Sequence, residues 1–424
     1  MSSFVDELEW RGQLSGATEG ARELMAREKV VAYAGFDPTA SSLHVGSLVQ
    51  IMVMRRLQVF GHSPIALIGG GTGMIGDPSG KTVERQLLSA EEVQANVSGV
   101  RAQLSKLLET GPDGRAVRFV DNADWLAKMS AMEFLRDVGK YFTVNYLLAK
   151  ESVKRRMESE DGISYTEFSY SLLQAYDFLV LHDRFKCVLQ IGGTDQWGNI
   201  VAGCDLIRKL RGKQAHGIVT PLLTTSSGTK FGKTEAGTIW LDAARTTPFR
   251  FYQFWLNTDD RDVVAYLKYF TFRNEAEIHA LEQELASQPE GRAAQRALAR
   301  DVTEMVHGAD QVKGAERAAA VLFGGSLAEA SVDDILTVFD DAPSMTVRAS
   351  ALAGGIAAAE LAVTAGLAAS KGEATRLIKQ GGFYINDRRL TDERGSVTLE
   401  DALGGAVIVL RKGQRERRIV KIQA

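Results

Sequence analysis

Residues 33 to 47 read Tyr33-Ala-Gly-Phe-Asp-Pro-Thr-Ala-Ser-Ser-Leu-His-Val-Gly-Ser47. They leave a short apolar run, Val30 to Ala34, and enter a long helical pattern, Val45 to Phe60. A strand that passes into a helix through such a turn gathers free backbone N–H groups and the positive end of the helix dipole at one point, which favours phosphate. His44 and Gly46 stand at that helix start. Alone, a histidine there is more often a cap or a surface residue, so the reading depends on the rest of the chain.

Further apolar runs occur at Pro64 to Gly69, Ala116 to Val120, Cys187 to Ile191 and Ile218 to Leu222. Helical patterns separate them at Ala131 to Tyr141, Tyr165 to Leu181 and Gln196 to Leu210. Repeated strand and helix predict an α/β fold with a mostly parallel sheet covered on both faces. The stretch from about 82 to 165 exceeds one crossover and reads as an insertion. Beyond Leu222 the character changes. Thr224 to Thr238 is rich in Gly, Ser, Thr and Lys and reads as a mobile loop. Pro248 to about Phe323 is helical, Pro343 and Gly354-Gly355 mark a linker region, and the last ~65 residues pair a helix (Ser370 to Gln380) with short strands. The expected domains are 1–223, 224–247 (loop and connection), 248–325 (helical), 326–357 (linker) and 358–424.

The chain has 424 residues, 45% of them hydrophobic and 24% charged, which excludes wholesale disorder and allows two to four domains at roughly 150 residues each. No apolar stretch approaches ~18 residues, and the N-terminus lacks a signal-peptide pattern, so a cytoplasmic protein without a membrane span is expected. Cys187 and Cys204 offer neither a disulfide framework nor a CxxC zinc site. Net charge is −3, but residues 371–424 hold 12 Lys and Arg against 7 Asp and Glu. A basic tail on an acidic body suits a polyanion at one end.

Gly69-Gly-Gly-Thr-Gly-Met-Ile-Gly-Asp-Pro-Ser-Gly-Lys-Thr82 invites two misreadings. Gly71, Gly73 and Gly76 match a dinucleotide fingerprint, but Pro78 and Gly80 oppose the helix that the fingerprint requires. A phosphate loop ending in Gly80-Lys81-Thr82 would need glycine at position 75, which is Ile75. A tight loop beside a ligand remains.

Two other segments complete the pattern: Gln190-Ile-Gly-Gly-Thr-Asp-Gln-Trp-Gly198, where a strand turns into a helix, and Thr229-Lys-Phe-Gly-Lys-Thr-Glu235 in the polar loop. Asp37-Pro-Thr…Leu-His-Val-Gly46 resembles the HIGH signature of class I aminoacyl-tRNA synthetases, and Lys230-Phe-Gly-Lys-Thr234 resembles their KMSKS signature. Gly76-Asp-Pro-Ser-Gly80 and Gly193-Thr-Asp-Gln-Trp-Gly-Asn199 resemble the bacterial tyrosyl-tRNA synthetases within that class. Order and spacing match along the whole chain, with one departure: Ser47 stands where the signature usually has its second histidine.

The resemblance implies a Rossmann-like catalytic domain with an insertion, a helical anticodon-recognition domain and a small α+β RNA-binding module. It also implies a two-step reaction. The carboxylate of L-tyrosine attacks the α-phosphate of ATP, and the tyrosyl group then passes to the terminal ribose of tRNA(Tyr). His44, Lys230, Lys233 and Thr234 would contact the phosphates. Asp37, Thr39, Gly46, Ser47, Gly193 and Asp195 would line the ATP site with His44 and Lys233. Mg2+ would come with ATP, without a dedicated protein metal site.

In the helix from Tyr165, Tyr170, Gln174 and Asp177 recur at i, i+4 and i+7 and form one polar stripe. On spacing alone, a solvated face is the simpler reading. The resemblance instead assigns Tyr170, Gln174 and Asp77 to the tyrosine ammonium, and Tyr33 and Asp177 to the phenol hydroxyl, with Gln190 completing the wall. Residues 361–422 resemble an RNA-binding module found in a ribosomal protein and in pseudouridine synthases, where Lys371, Arg376, Lys379, Arg388 and Arg389 would meet phosphates. Lys150, Lys154 and Arg155 in the insertion form a second basic cluster suited to the acceptor stem. The family is homodimeric, with the insertion around Met132 to Tyr146 at the interface.

Three other readings remain at this point. A tryptophan-specific enzyme on the same scaffold is disfavoured by Tyr33 with Asp177. A nucleotidyltransferase is disfavoured by the basic tail. A non-catalytic RNA-binding protein is disfavoured by His44 and both loop lysines.

Overall fold

The computed structural model describes residues 3–79, 87–111, 115–159, 162–229, 231–234, 237–322, 327, 330–339, 342–413 and 416–423. Two compact units emerge: Met1–Thr247 with Phe254–Val306, and Pro248–Gln253 with His307–Ala424.

The first unit is built on β1 (Gly16–Ala17), β2 (Val31–Phe36), β3 (Ser63–Ile68), β4 (Arg118–Asp121), β5 (Cys187–Gly193) and β6 (His216–Thr220), in the order β1-β6-β5-β2-β3-β4. Strands β2 to β6 run parallel, and β1 pairs antiparallel with β6 at the edge. Alternate side chains enter opposite cores, because helices cover both faces. Ala32, Leu189 and Ile218 pack with Phe4, Leu8, Val53 and Leu57. Tyr33, Ile65 and Leu67 pack with Phe178, Leu181, Ala202 and Leu206.

After β2 the chain crosses through α1 (Leu48–Val59) to β3, whereas β5 lies on the other side of β2. The order therefore reverses at β2, which opens a crevice outside the carboxyl ends of β2 and β5. Helix α1 is buried on most of its surface, with Leu48, Ile51, Met52 and Leu57 at 0% exposure and Arg56 and Gln58 buried as hydrogen-bonded polar groups. Helices α2 (Tyr165–Phe185) and α3 (Trp197–Arg211) pack tightly, since a Cβ on Gly203 would lie 2.8 Å from the Phe178 ring. Within the stretch read as an insertion, β4 belongs to the main sheet. The excess over a simple crossover is thus 122–164, whose described residues hold four short α-helices and one 3-10 turn between Ala123 and Met157.

The block read as one helical domain, 248–325, is divided between the units. Helix α4 (Asp260–Phe270) belongs to the first unit because two buried arginines grip its carboxyl end. Arg11, which follows the first helix, and Arg56 of α1 both donate to the carbonyls of Lys268 and Thr271. Those carbonyls are ones the helix leaves unpaired.

The second unit contains β7 (Ser344–Arg348), β8 (Phe383–Ile385), β9 (Arg388–Leu390), β10 (Val407–Lys412) and β11 (Glu416–Gln423), in the order β9-β8-β10-β11-β7. One face buries Ile408, Leu410 and Val420 against Ala374 and Ile378 of α5 (Lys371–Lys379). The other buries Val407, Val409 and Ile419 against Ile335. The expected linker, 326–357, is therefore partly structural: the helix Val332–Val338 covers the sheet, and β7 pairs in parallel with β11.

Candidate active site

A cavity of about 360 Å3 opens at the carboxyl ends of β2, β3 and β5. Tyr33, Asp77, Tyr170, Gln174, Asp177 and Gln190 all line it, as do Asp37, Thr39, His44, Ser47, Gly193 and Asp195. Gly46 does not. Its N–H donates to His44 Nδ1 at 3.0 Å, and a Cβ there would lie 2.7 Å from the His44 ring. Glycine thus lets the imidazole fold back over the start of the helix. Lys230 lies outside the described residues. Lys233 and Thr234 form a short strand paired with Gly237 and Thr238.

At the deep end, Asp177 is 2% exposed. Trp125 Nε1 donates to its Oδ1 at 2.7 Å, and Asn122 Nδ2 donates to its Oδ2 at 2.9 Å. Burial pushes this carboxyl up to about 7 against those two hydrogen bonds. Tyr33 is 1% exposed, and its hydroxyl has no hydrogen-bond partner among the described residues. Its phenol is held well above the ordinary range by burial, and secondarily by the Asp177 charge. A buried hydroxyl without a partner is costly, so this end is built for a ligand group that both accepts and donates. Gln190 Oε1 is likewise buried and unpartnered.

Toward the mouth, Asp77 accepts from Ser79 N at 2.9 Å and from Gln196 Nε2 at 2.7 Å. Gln196 accepts from Gln174 at 3.2 Å, and Asn199 donates to Gln174 at 3.0 Å. The network leaves a carboxylate and two carboxamides around a space suited to an ammonium group. Tyr170, read as an ammonium contact, directs its hydroxyl to Asp37 at 3.2 Å. It therefore ties the two expected subsites together.

The glycine-rich turn after β3 has a packing reason. A Cβ on Gly69 would lie 2.5 Å from both Asp37 Oδ1 and Thr72 Oγ1, and one on Gly70 would strike the Asp121 carboxylate. Side chains, not a phosphate, occupy the space beside this backbone. Ser79, Gln196 and Asn199 lie inside the quoted motifs but carry no role in the sequence reading, and Asn122, Trp125 and Gln50 lie outside every motif. For Asn122 and Trp125 the available signal was their place just beyond the carboxyl end of β4, where ligand sites of such sheets lie.

The expected RNA-facing residues divide. Lys154 and Arg155 are exposed, as are Lys371, Arg376, Lys379, Arg388 and Arg389. Arg389 also donates to the Gly381 carbonyl at 2.7 Å, which closes the end of α5. Lys150 departs from the reading. Its ammonium is out of solvent and unpartnered among the described residues, 5.3 Å from the Tyr146 ring centre. Burial lowers it to about 8, while Asp77 pulls the other way. The inward turn leaves this lysine beside the cavity wall and away from the exposed cluster.

The family described as tRNA synthetases class I (W and Y) matches residues 25–324, and a tyrosine–tRNA ligase SYY-like C-terminal domain matches residues 334–420. The chain is 52% identical to a tyrosine–tRNA ligase of Roseiflexus castenholzii over 423 residues, covering all of both chains. It is 50% identical over 421 residues to that of Geobacillus stearothermophilus, covering 99% of each. A C-terminally truncated mitochondrial tyrosyl-tRNA synthetase of Aspergillus nidulans superposes with a TM-score of 0.68 at 34% identity, over 76% of this chain and 95% of that one. The Coccidioides posadasii counterpart gives 0.65 at 32% identity, over 74% and 91%.

Proposed function

The chain belongs to the class I tRNA synthetases described for tryptophan and tyrosine, and we propose that its cavity holds tyrosine with the phenol at Tyr33 and Asp177 and the ammonium at Asp77 and Gln174. Its activity is tyrosine–tRNA ligation: ATP activates tyrosine to the adenylate, and the tyrosyl group passes to tRNA. The observation that carries the substrate assignment is the unpartnered Tyr33 hydroxyl beside the Asp177 carboxylate. A phenol O–H donates to the carboxylate and accepts from the tyrosine side chain, which satisfies both. Indole N–H offers only the donor.

In this reading Asp37, Thr39, Ser47, Gly193 and Asp195 face ATP, and Mg2+ enters with the nucleotide. Among the described residues no group of three or more His, Cys, Asp or Glu is placed to hold a metal. Catalysis rests on placing the tyrosine carboxylate in line with the α-phosphate, and on His44, Lys230, Lys233 and Thr234 meeting charge as it moves to pyrophosphate. A second copy of the chain covers the insertion, where Met132, Leu135 and Val144 are 76%, 50% and 60% exposed. The exposed bases of the second unit and Lys154 and Arg155 meet tRNA(Tyr) phosphates. No helix among the described residues is long and apolar enough to cross a membrane. In this reading the enzyme works in the cytoplasm, where its tRNA is used. The test is tyrosine-dependent exchange of labelled pyrophosphate into ATP, run beside tryptophan and phenylalanine. Exchange with tryptophan equal to that with tyrosine would overturn the substrate assignment.

A further inference from the structure

The loop read as mobile is pinned at two points, and both pins are on one face of α4. Ser226 N lies 3.0 and 3.1 Å from the two Asp262 carboxylate oxygens, and Ser226 Oγ donates to Asp262 Oδ2 at 3.1 Å. Five residues on, Phe231 is 5% exposed. Its ring lies 5.0 Å from Tyr266 and is stacked 5.3 Å from Phe270, with Phe254 and Trp255 closing the cage. Asp262, Tyr266 and Phe270 recur at i, i+4 and i+8, a single stripe along α4.

The same segment touches the first signature. A Cβ on Gly232 would lie 2.7 Å from Val45, and Val45 N donates to the Ile239 carbonyl at 3.0 Å. At its other end α4 is gripped by Arg11 and Arg56, the latter from α1, the helix that begins beside His44. Phe231, Gly232 and the start of α1 at Val45 are thus referred to one frame.

We propose that α4 is the seat of the lysine loop and that Asp262 is a positioning residue for adenylate formation, acting through the lysines that flank Phe231. This rests on the reading that Lys230 and Lys233 meet the phosphates. A glycine-, serine- and threonine-rich loop without pins must be ordered anew at each transition state, which is entropically costly. Pinning at Ser226 and Phe231 confines the backbone between them beforehand. Among the described residues the Asp262 side chain hydrogen-bonds to Ser226 and to no residue of the cavity lining, so its removal should spare tyrosine binding.

The test is a kinetic cycle of Asp262→Ala, Lys233→Ala and the double variant, with single-turnover adenylate formation and equilibrium tyrosine binding measured on each full-length protein. Asp262→Ala should lower the rate at saturating substrates roughly tenfold and leave tyrosine affinity within about twofold, a split that generalised damage to the fold does not produce. In the Lys233→Ala background the same change should cost less than about twofold, because the seat then has little left to position. Asp262→Asn, which still accepts from Ser226, should recover most of the rate and guards against misfolding of the alanine variant. Losses that multiply in the double variant, or a tyrosine affinity that falls as far as the rate, overturn the proposal. If Lys233→Ala alone leaves the rate unchanged, the reading of the loop lysines fails first, and the two failures are distinct.

Discussion

Trp125 donates its indole N–H to Asp177 at 2.7 Å, the shorter of the two hydrogen bonds that hold this buried carboxylate. These bonds oppose burial, and the balance leaves the group near neutrality, at about 7. Only the ionised form is a full acceptor for a phenol O–H. Tyrosine affinity should therefore fall as pH drops through 7, by up to about tenfold per pH unit below it, and level off above about 8. Equilibrium binding between pH 6 and 8.5 checks this. The same raised pKa acts on stability with the opposite sense. The folded chain keeps a proton that the unfolded chain has lost, so the stability this group contributes is lost as pH rises from about 4 to 7. Trp125→Phe deletes a bond that favours the charged form and should move the binding midpoint upward. A midpoint that stays put would mean that another group titrates.

Tyr33→Phe removes the unpartnered hydroxyl and should cost about 0.5–1.5 kcal/mol in tyrosine activation. Asp177→Ala should cost about 1.5–3 kcal/mol, since the lost acceptor is charged. Both should narrow the preference for tyrosine over phenylalanine, whereas Gln174→Ala should weaken both substrates alike. Pyrophosphate exchange with each amino acid decides. Unchanged discrimination in both Tyr33→Phe and Asp177→Ala would put the hydroxyl at the other end of the cavity.

Side chains placed by local geometry were legible in the sequence. Periodicity puts Tyr170, Gln174 and Asp177 on one stripe but favours a solvated face for it; the family resemblance is what turns that stripe, with Tyr33 and Asp37, toward a ligand, and all five line one cavity. Asn122 and Trp125 were not legible, because their role exists only once β4 brings residue 122 against α2, 55 positions further along the chain. Lys150 misled for the opposite reason: adjacent charges in sequence suggest one surface, yet Lys150 turns inward and Arg156 is buried against Glu167 at 2.8 Å. Strand β7 escaped because it carries no run of large apolar residues. Its Ser-Met-Thr-Val-Arg alternates between exposed and half-buried, as an edge strand does.

That strand changes where the tail can be cut. Ending the chain after Gly355 removes β11, the partner of β7, and uncovers Ile335 of the helix that packs on the sheet. Such a truncation should aggregate, while ending the chain before Ser331 should give a soluble protein that forms tyrosyl-adenylate at a near-normal rate but barely charges tRNA. Size-exclusion chromatography with the two half-reaction assays separates these outcomes. Increased salt should weaken tRNA binding by the full chain far more than ATP binding, through counterion release. Normal charging by the shorter protein would give the second unit another partner.

One turn beyond Ser47 along α1 lies Gln50. Gln50 also lines the cavity, and its Nε2 donates to Thr220 Oγ1 at 2.8 Å, which fixes the carboxamide. Thr220 in turn donates to the Gly192 carbonyl at 3.3 Å, so the arrangement is anchored to the end of β5. Gln50 Oε1 is left buried and without a partner among the described residues. An orphaned carbonyl oxygen accepts only from an O–H or N–H, and on the ATP side the nucleoside supplies both as ribose hydroxyls and the exocyclic amine. The Ser47 hydroxyl, by contrast, can also donate, so it can meet an acceptor such as the ribose ring oxygen. Gln50→Leu should therefore raise KM for ATP several-fold, about 1 kcal/mol for one neutral hydrogen bond, with KM for tyrosine unchanged. Repeating the measurement with 2′-deoxy-ATP, 3′-deoxy-ATP and purine riboside triphosphate identifies the donor. The analogue lacking it should bind the wild-type chain as weakly as Gln50→Leu binds ATP, and the substitution should add nothing further to that analogue. If Gln50→Leu leaves KM for ATP unchanged, the orphaned oxygen has no partner on the nucleotide.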